Sequence, residues 1–259
     1  MSNIIEAHDL VMQFPGSDQP AVRGVSFAVL RGEIFGLLGP AGAGKTTLIA
    51  LLSGRLKPTS GSATIAGFDL SNQLKEIKRR AGLAPQDSAL YPALSANDNL
   101  VFYGRTLGLR GKQLKQRVEA ALQLAGLYDC RHDPIEAYSG GMRRCVNIAA
   151  GLLRQPEILF LDEPTAGVDP QSRDFILAKT VEVNRQGVTV LHATRCAAEA
   201  ERLCRRVAII DQGRIVALDT PHALQEIVGG GLVVIVSLEV LEPNLESVFF
   251  ELTGRRLGD

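Results

Sequence analysis

Short, continuous runs of apolar residues recur along this chain, bounded by glycine, proline or polar residues. Runs of this length are typical of strands that are buried on both faces rather than of helices. They lie at 33–38, 158–161, 188–191 and 207–210. Segments with helical spacing of apolar residues lie at 46–56, 171–186 and 197–204. Strands that alternate with helices predict an α/β fold with a mainly parallel, covered sheet.

The N-terminal part follows a different pattern, with two strand-like segments joined by a turn. Segments 4–14 and 21–29 flank the sequence Pro15-Gly16-Ser17-Asp18-Gln19-Pro20, and the second segment partly alternates apolar and polar residues. Such a pair predicts antiparallel strands. A further short strand is predicted at 62–65, and a hairpin turn at 211–214.

Between residues 90 and 153 alanine, leucine, glutamine and lysine dominate, and β-branched residues become scarce. Three helices are predicted there, at 95–107, 112–124 and 140–153. Nearer the C-terminus, the pattern predicts a strand at 232–241 and a capped helix at 244–253. The predicted organisation is an α/β core at 1–89 and 154–221, a helical subdomain at 90–153 and a short C-terminal extension at 222–259.

The composition restricts the classes of partner. Lysine plus arginine and aspartate plus glutamate number 28 each, whereas a nucleic-acid binder usually carries a basic excess, so no nucleic acid is expected. Four cysteines without a C-x-x-C pair indicate reduced thiols in the cytosol. No apolar run approaches the roughly 20 residues of a membrane helix. We therefore expect a chain that does not itself cross a membrane.

The strongest motif is the glycine-rich loop that follows the strand at 33–38. It reads Gly39-Pro40-Ala41-Gly42-Ala43-Gly44-Lys45-Thr46-Thr47, which matches G-x-x-x-x-G-K-T. Glycines allow backbone N–H groups to face phosphates, and the helix start adds its own free N–H groups. Lys45 is predicted to reach the β- and γ-phosphates and the Thr46 hydroxyl to ligate magnesium, which indicates a nucleoside-triphosphate site.

Two carboxylates, Asp162 and Glu163, end the apolar strand at 158–161. In a phosphate-loop fold this strand neighbours the strand that enters the loop. Asp162 can then hold the magnesium shell, and Glu163 can polarise the attacking water.

A second anion-binding helix start is predicted at Ser139-Gly140-Gly141, where the third helix of the middle segment begins. One nucleotide cannot easily bridge this helix start and the phosphate loop within one chain. Two copies related by a two-fold axis could hold a nucleotide between them.

These motifs, in this order, resemble the ATP-binding-cassette ATPase family from about Ile4 to about Pro221. The set consists of the phosphate loop, Gln86, Ser139-Gly140-Gly141-Met142, Leu161-Asp162-Glu163-Pro164-Thr165-Ala166-Gly167-Val168-Asp169 and Asp211-x-Gly213. The residues within these motifs are similar to those of stand-alone ATPase subunits of drug, antibiotic and polysaccharide exporters. The resemblance implies a RecA-like P-loop NTPase fold with ATP and Mg²⁺ as cofactors. It also implies a homo- or heterodimer, placed on the cytoplasmic face of the cell membrane through a separate integral-membrane permease.

The resemblance also assigns roles to the remaining positions. Phe14 would stack on adenine, although a core aromatic of the strand is the alternative. Gln86 would touch the magnesium shell and link it to the helical insert. Ser139, with Gly140 and Gly141, would contact the γ-phosphate held by the partner, and Asp169 would lie at the dimer seam.

The chain departs from the family pattern beside these motifs. Arg195 stands where the family carries a histidine that contacts the γ-phosphate, and His192 reads as a core-edge histidine. Arginine can donate to a phosphate but cannot accept a proton. Ala41 and Cys145 replace a usual asparagine and arginine. We therefore expect nucleotide binding and dimerisation with lowered turnover.

Three functions remain open at this stage. The leading one is ATP hydrolysis that drives export through a permease. The second is a catalytically impaired module that serves as one half of a heterodimer, with Arg195 as its mark. A soluble cassette that acts on ribosomes or DNA is less favoured, since neither a second cassette nor a long coiled-coil insertion is evident. GTPases and small-molecule kinases are disfavoured, because no N-K-x-D segment follows the loop.

Overall fold

The computed structural model describes residues 2–87, 90–229 and 244–257, so the strand predicted at 232–241 lies outside the described residues. The strands are β1 (Asn3–Met12), β2 (Val22–Leu30), β3 (Ile34–Leu38), β4 (Ser60–Ile65), β5 (Phe68–Asp69), β6 (Ala81–Ala84), β7 (Ile158–Asp162), β8 (Thr189–Thr194), β9 (Arg206–Asp211) and β10 (Arg214–Asp219). The helices are α1 (Lys45–Leu52), α2 (Leu74–Arg80), α3 (Ala96–Thr106), α4 (Gly111–Leu124), α5 (Gly140–Leu152), α6 (Pro170–Arg185), α7 (Ala197–Leu203), α8 (Pro221–Gly229) and α9 (Leu245–Thr253).

A six-stranded sheet runs through the centre in the order β10-β9-β3-β8-β7-β6. Five of its strands pair in parallel, and β10 pairs antiparallel with β9. The sequence-based prediction of an α/β fold with a mainly parallel sheet is confirmed. The expectation that the strand at 158–161 neighbours the strand that enters the phosphate loop is wrong, because β8 lies between β3 and β7. Leu38 pairs with Thr194 and Asp162 pairs with Ala193, so the carboxyl ends of β3, β7 and β8 still meet at one edge.

Both faces of this sheet are buried, as the continuous apolar runs predict. Phe35 and Leu37 of β3 pack with α1 and with a second, antiparallel sheet of order β2-β1-β4-β5. Ile34 and Leu38 face the opposite way, into a cluster shared with α3, α4 and α5. Because β1 and β2 pair antiparallel in the second sheet, the prediction of antiparallel strands in the N-terminal part is confirmed.

The helix after the phosphate loop ends earlier than predicted. The apolar spacing predicts helix to residue 56, but α1 ends at Leu52, and Gly54 follows with a φ of +70°. A glycine in this left-handed conformation is a common way to stop a helix.

The middle segment folds into the three predicted helices. Ser95 caps α3, since its hydroxyl accepts the Asp98 N–H at 3.0 Å and donates to the Asp98 carboxylate at 2.7 Å. The apolar faces of these helices share one continuous cluster with the six-stranded sheet. The division of the chain at residues 90 and 153 stays a prediction.

The C-terminal helix α9 is seated on the core. Asn244 caps it by accepting the Ser247 N–H at 2.9 Å, as the sequence predicts. Leu245, Val248 and Phe249 are fully buried against the large cluster that includes residues of α7 and α8. Within the described residues, no helix has the length and apolarity that a membrane span needs.

Candidate functional site

The phosphate loop connects β3 to α1, and its shape depends on glycine. Gly44 has a φ of +103°, and a Cβ at this position would lie 2.5 Å from the Ala21 carbonyl oxygen. Only glycine accepts both the conformation and the close approach. The backbone at Ala21, just before β2, therefore lies close against the loop at Gly44.

A cavity of about 210 Å³ opens at this loop. It brings together all four residues that the sequence assigns to catalysis: Lys45, Gln86, Glu163 and Arg195. The rest of its lining is Ala21, Ala41, Gly42, Gly44, Thr46 and Thr47. Residues from position 21 to position 195 thus converge on one small space.

Lys45 is almost completely buried, and its ammonium already has three oxygen partners. It donates to the Gly39 carbonyl at 2.7 Å and to the Pro40 carbonyl at 2.8 Å, and it lies 3.2 Å from Glu163 Oε1. Burial lowers the pKa of Lys45, and the charge of Glu163 acts in the opposite direction. A phosphate that enters the loop can replace the carbonyl contacts with charged ones.

Glu163 occupies a strained position between two cations. Its φ is +46°, a left-handed conformation that costs energy for a residue with a side chain. Its N–H donates to the Ala193 carbonyl at 2.9 Å, which ties it to β8. Besides Lys45, Arg195 Nε lies 2.9 Å from Glu163 Oε2, an ion-pair contact without the alignment of a hydrogen bond.

Asp162 has the chemistry of a magnesium ligand. Its side chain is buried, and Oδ1 has no hydrogen-bond partner within the described part of the chain. Burial raises the pKa of Asp162, and a hydrogen bond with Thr46 acts to lower it. An unpaired carboxylate oxygen beside a threonine hydroxyl is an oxygen donor set of the kind that Mg²⁺ takes, so these residues fit the ion.

Gln86 is connected to the helical segment through an arginine that sequence reasoning did not single out. Arg144, on α5, donates to the Pro85 carbonyl at 3.2 Å and also to the Gln86 carbonyl. A basic residue near a helix start carries no signal by itself, because its partners lie 58 and 59 residues away. These hydrogen bonds join the segment around Gln86 to α5.

The second helix start lies apart from the cavity. Ser139 is exposed and caps α5 by accepting the Met142 N–H at 3.1 Å. Asp169 is also exposed and caps α6 by accepting the Ser172 N–H at 2.9 Å. The starts of α5 and α6 touch where Gly141 meets Ser172. None of Ser139, Gly140, Gly141 and Asp169 lines the 210 Å³ cavity.

Phe14 and His192 differ in how far their side chains are buried. Phe14 follows the end of β1 and is 40% exposed, so the strand-core alternative is not supported. His192 is fully buried in β8, with Nε2 3.5 Å from Glu199 Oε2, which agrees with a structural histidine. Cys145 is buried as well, and burial raises the pKa of its thiol to about 12.

Comparison with known proteins places this geometry in a family. The model of the family described as "ABC transporter" matches residues 22–166. The linearmycin resistance ATP-binding protein of Bacillus subtilis is 36% identical, over 92% of this chain and 95% of that protein. The Nod factor export ATP-binding protein I of Ralstonia nicotianae is 39% identical, over 80% of this chain and 64% of that protein. The solved structure of cbiO1 from Clostridium perfringens, part of an ABC transporter complex, covers 89% of this chain and is covered to 94% itself, with a TM-score of 0.78 at 27% identity. The chain belongs to the ABC transporter family, as one of its ATPase cassettes.

Proposed function

We propose that this chain is the ATP-hydrolysing subunit of an ABC-type exporter and works with a separate membrane permease. The observation that carries the proposal is the cavity in which Lys45, Gln86, Glu163 and Arg195 meet the phosphate loop. The names of the two relatives, one for antibiotic resistance and one for export, support the export direction.

In this proposal the residues of the site have different roles. Lys45 turns from its loop carbonyls to the β- and γ-phosphates of ATP. Asp162, Thr46 and Gln86 would hold Mg²⁺, which would supply positive charge next to the phosphate oxygens. Glu163 accepts a proton from the water that attacks the γ-phosphate, and burial keeps that exchange away from bulk solvent.

Two copies of the cassette complete each site in this proposal. The cavity of about 210 Å³ is smaller than the roughly 300–1,000 Å³ of typical ligand pockets. Ser139 and Gly140 are exposed at a helix start, where N–H groups attract anions. A two-fold axis would place them over the partner's γ-phosphate. Loss of that phosphate removes the contacts that favour the closed pair, and the cassettes reopen.

The variant Glu163→Gln tests the enzymatic part. The amide keeps the shape but cannot act as a base, so we expect hydrolysis to fall by roughly 100-fold or more while ATP stays bound. Glu182→Gln, on the exposed face of α6, serves as the matched control. Turnover by Glu163→Gln equal to that of the control would remove Glu163 from its assigned role.

One observation favours a second candidate, a catalytically impaired half of a heterodimer. The 2.9 Å contact between Arg195 and Glu163 places a permanent positive charge beside the proposed base. The guanidinium occupies the carboxylate that would have to reach the attacking water. The ATPase rate of the purified single chain separates the candidates, since an impaired half hydrolyses ATP only beside a competent partner.

Association with the membrane follows from the permease in this proposal, with the cassette on the cytoplasmic face. Affinity purification of the tagged chain from native membranes tests it. We expect a polytopic membrane protein to co-purify in stoichiometric amount. Recovery of the chain entirely from the soluble fraction, with no membrane partner, would contradict the transport role.

A further inference from the structure

A buried carboxylate, that of Glu199, connects the segment that carries Glu163 with the segment that carries Arg195. Glu199 lies on α7, does not line the 210 Å³ cavity, and is only 3% exposed. Its Oε1 accepts the Thr165 hydroxyl at 2.7 Å, and its Oε2 accepts the Thr194 hydroxyl at 2.8 Å. Two basic side chains face the same carboxylate, Arg173 at 3.4 Å and His192 at 3.5 Å.

The two threonines flank the Glu163–Arg195 pair in sequence. Thr165 lies two residues after Glu163, and Thr194 immediately precedes Arg195. The Thr194 oxygen also accepts the Cys196 N–H at 3.0 Å. Because its proton points to Glu199, its lone pairs are free to fix the peptide after Arg195. One carboxylate therefore holds the segments that carry both members of the pair.

We propose that Glu199 is a positioning residue, which sets the geometry of the Glu163–Arg195 pair through Thr165 and Thr194. This inference rests on the proposed function of that pair in ATP hydrolysis. A shift of about 1 Å at a reacting group can lower a rate on the order of 100-fold. A carboxylate that fixes both segments can therefore change the rate of ATP hydrolysis.

The ionised form of Glu199 suits this role. Burial raises the pKa of Glu199, but hydrogen bonds from His192, Thr165 and Thr194 outweigh burial and hold the pKa below its ordinary value. An ionised carboxylate only accepts hydrogen bonds, so both hydroxyl protons must turn toward it. The amide of a glutamine would instead offer N–H groups to one of the two hydroxyls.

The first test measures positioning without any nucleotide. In a Cys130→Ser background, Cys196 is the remaining partly exposed thiol, because Cys145 and Cys204 are buried. We expect Glu199→Gln to raise the reaction rate of Cys196 with a disulfide reagent by about fivefold, the change that one lost hydrogen bond implies. The matched control is Glu33→Gln, which removes another buried carboxylate, paired with Arg206 at 2.6 Å. A rate equal to that of the control would overturn the proposal.

The second test uses hydrolysis by the full chain. We expect Glu199→Gln to lower kcat by about tenfold with an unchanged KM for ATP, since the phosphate loop is untouched. In a Glu163→Gln background the same substitution should have little further effect, because residues that act together are not additive. Full additivity, or a kcat loss equal to that of Glu33→Gln, contradicts the proposal. If the wild-type chain does not hydrolyse ATP, the proposed function fails, and the Cys196 rate still decides the positioning role.

Discussion

At the end of β8 a guanidinium stands where the resembled family carries a histidine. Arg195 pairs with Glu163 at 2.9 Å, although 47% of its own side chain is exposed. An arginine stays charged at every working pH, whereas a histidine can be neutral near pH 7. The pair therefore restrains Glu163 in a way that a neutral imidazole would not.

We expect Arg195→His to raise the ATPase kcat on the order of fivefold, because one partly exposed ion pair on the proposed base is released. Steady-state hydrolysis by the purified chain measures the change. Arg202→His on the neighbouring helix, where Arg202 pairs with Asp174 on the surface, is the control. A kcat for Arg195→His at or below the wild-type value would count against the restraint.

The four cysteines divide into two pairs by burial. Burial raises the pKa of Cys145 to about 12 and raises the pKa of Cys204 as well. Near pH 8, a reagent that needs thiolate should react promptly with Cys130 and Cys196 alone, because these two thiols are partly exposed and the other two are buried. Absorbance titration of the folded and the denatured chain checks this. A third prompt thiol in the folded chain would contradict the burial of Cys145 or Cys204.

At this scale, sequence reasoning found the residues whose signal is local. Lys45 is marked by the loop around it, and Glu163 by the apolar strand before it. Glu199 and Arg144 carry no such mark, because their meaning depends on partners 34 and 59 residues away. The ion pair of Arg195 with Glu163 was also missed, since strand neighbours cannot be read from either segment alone.

Among the elements, α9 shows how far apolar spacing predicts burial. Its helical pattern places Leu245, Val248, Phe249 and Leu252 on one face; the first three are fully buried, whereas Leu252 is 38% exposed. Phe250, the residue after Phe249, is 50% exposed. The two adjacent phenylalanines therefore form a matched pair.

Truncation of the buried ring should destabilise the chain far more than truncation of the exposed one. We expect Phe249→Ala to lower the free energy of unfolding by about 3–5 kcal/mol and Phe250→Ala by about 0.5 kcal/mol or less. Urea unfolding of the full chain measures both. Equal losses would mean that α9 is not docked on α7 and α8 as the structure describes.

Element bounds were predicted less well than element types. The helix at 140–153 and the strand at 158–161 differ from α5 and β7 by one residue at one end. α1 ended four residues early because Gly54 stops it, and α8 was not predicted. Terminal residues depend on caps and on packing, which apolar spacing does not encode.

For the whole molecule, pairing of two cassettes gives the clearest test. A Cβ on Gly140 would meet open space in the single chain, whereas a Cβ on Gly141 would overlap the Ser172 side chain. Any effect of Gly140→Ala on assembly must therefore arise from the partner or the nucleotide.

We expect Gly140→Ala, in the Glu163→Gln background with ATP, to keep the melting temperature of the chain and to weaken dimerisation by about tenfold. Gly141→Ala should lower the melting temperature as well, because it disturbs the contact between α5 and α6. Sedimentation velocity and thermal melting give the two readouts. A Gly140→Ala chain that dimerises like its parent would place the second anion-binding end elsewhere.

Alternation of strands and helices was enough to predict the α/β class, but not the order of strands in the sheet. β3 lies between β8 and β9, so its two neighbours come from more than 150 residues later in the chain. Period and composition describe each strand by itself, and neither specifies which strands pair.

That strand order has a consequence during protein synthesis. The strand that leads into the phosphate loop is flanked only once residues 189–211 exist, and the Gly213 N–H then donates to the Ala43 carbonyl at 2.9 Å. Contacts between distant segments form late, because a long loop must close first. A ribosome-bound nascent chain that stops before residue 189 therefore lacks the strands and the hydrogen bond that support the phosphate loop. Such a chain should not retain ATP, although its phosphate-loop motif is complete.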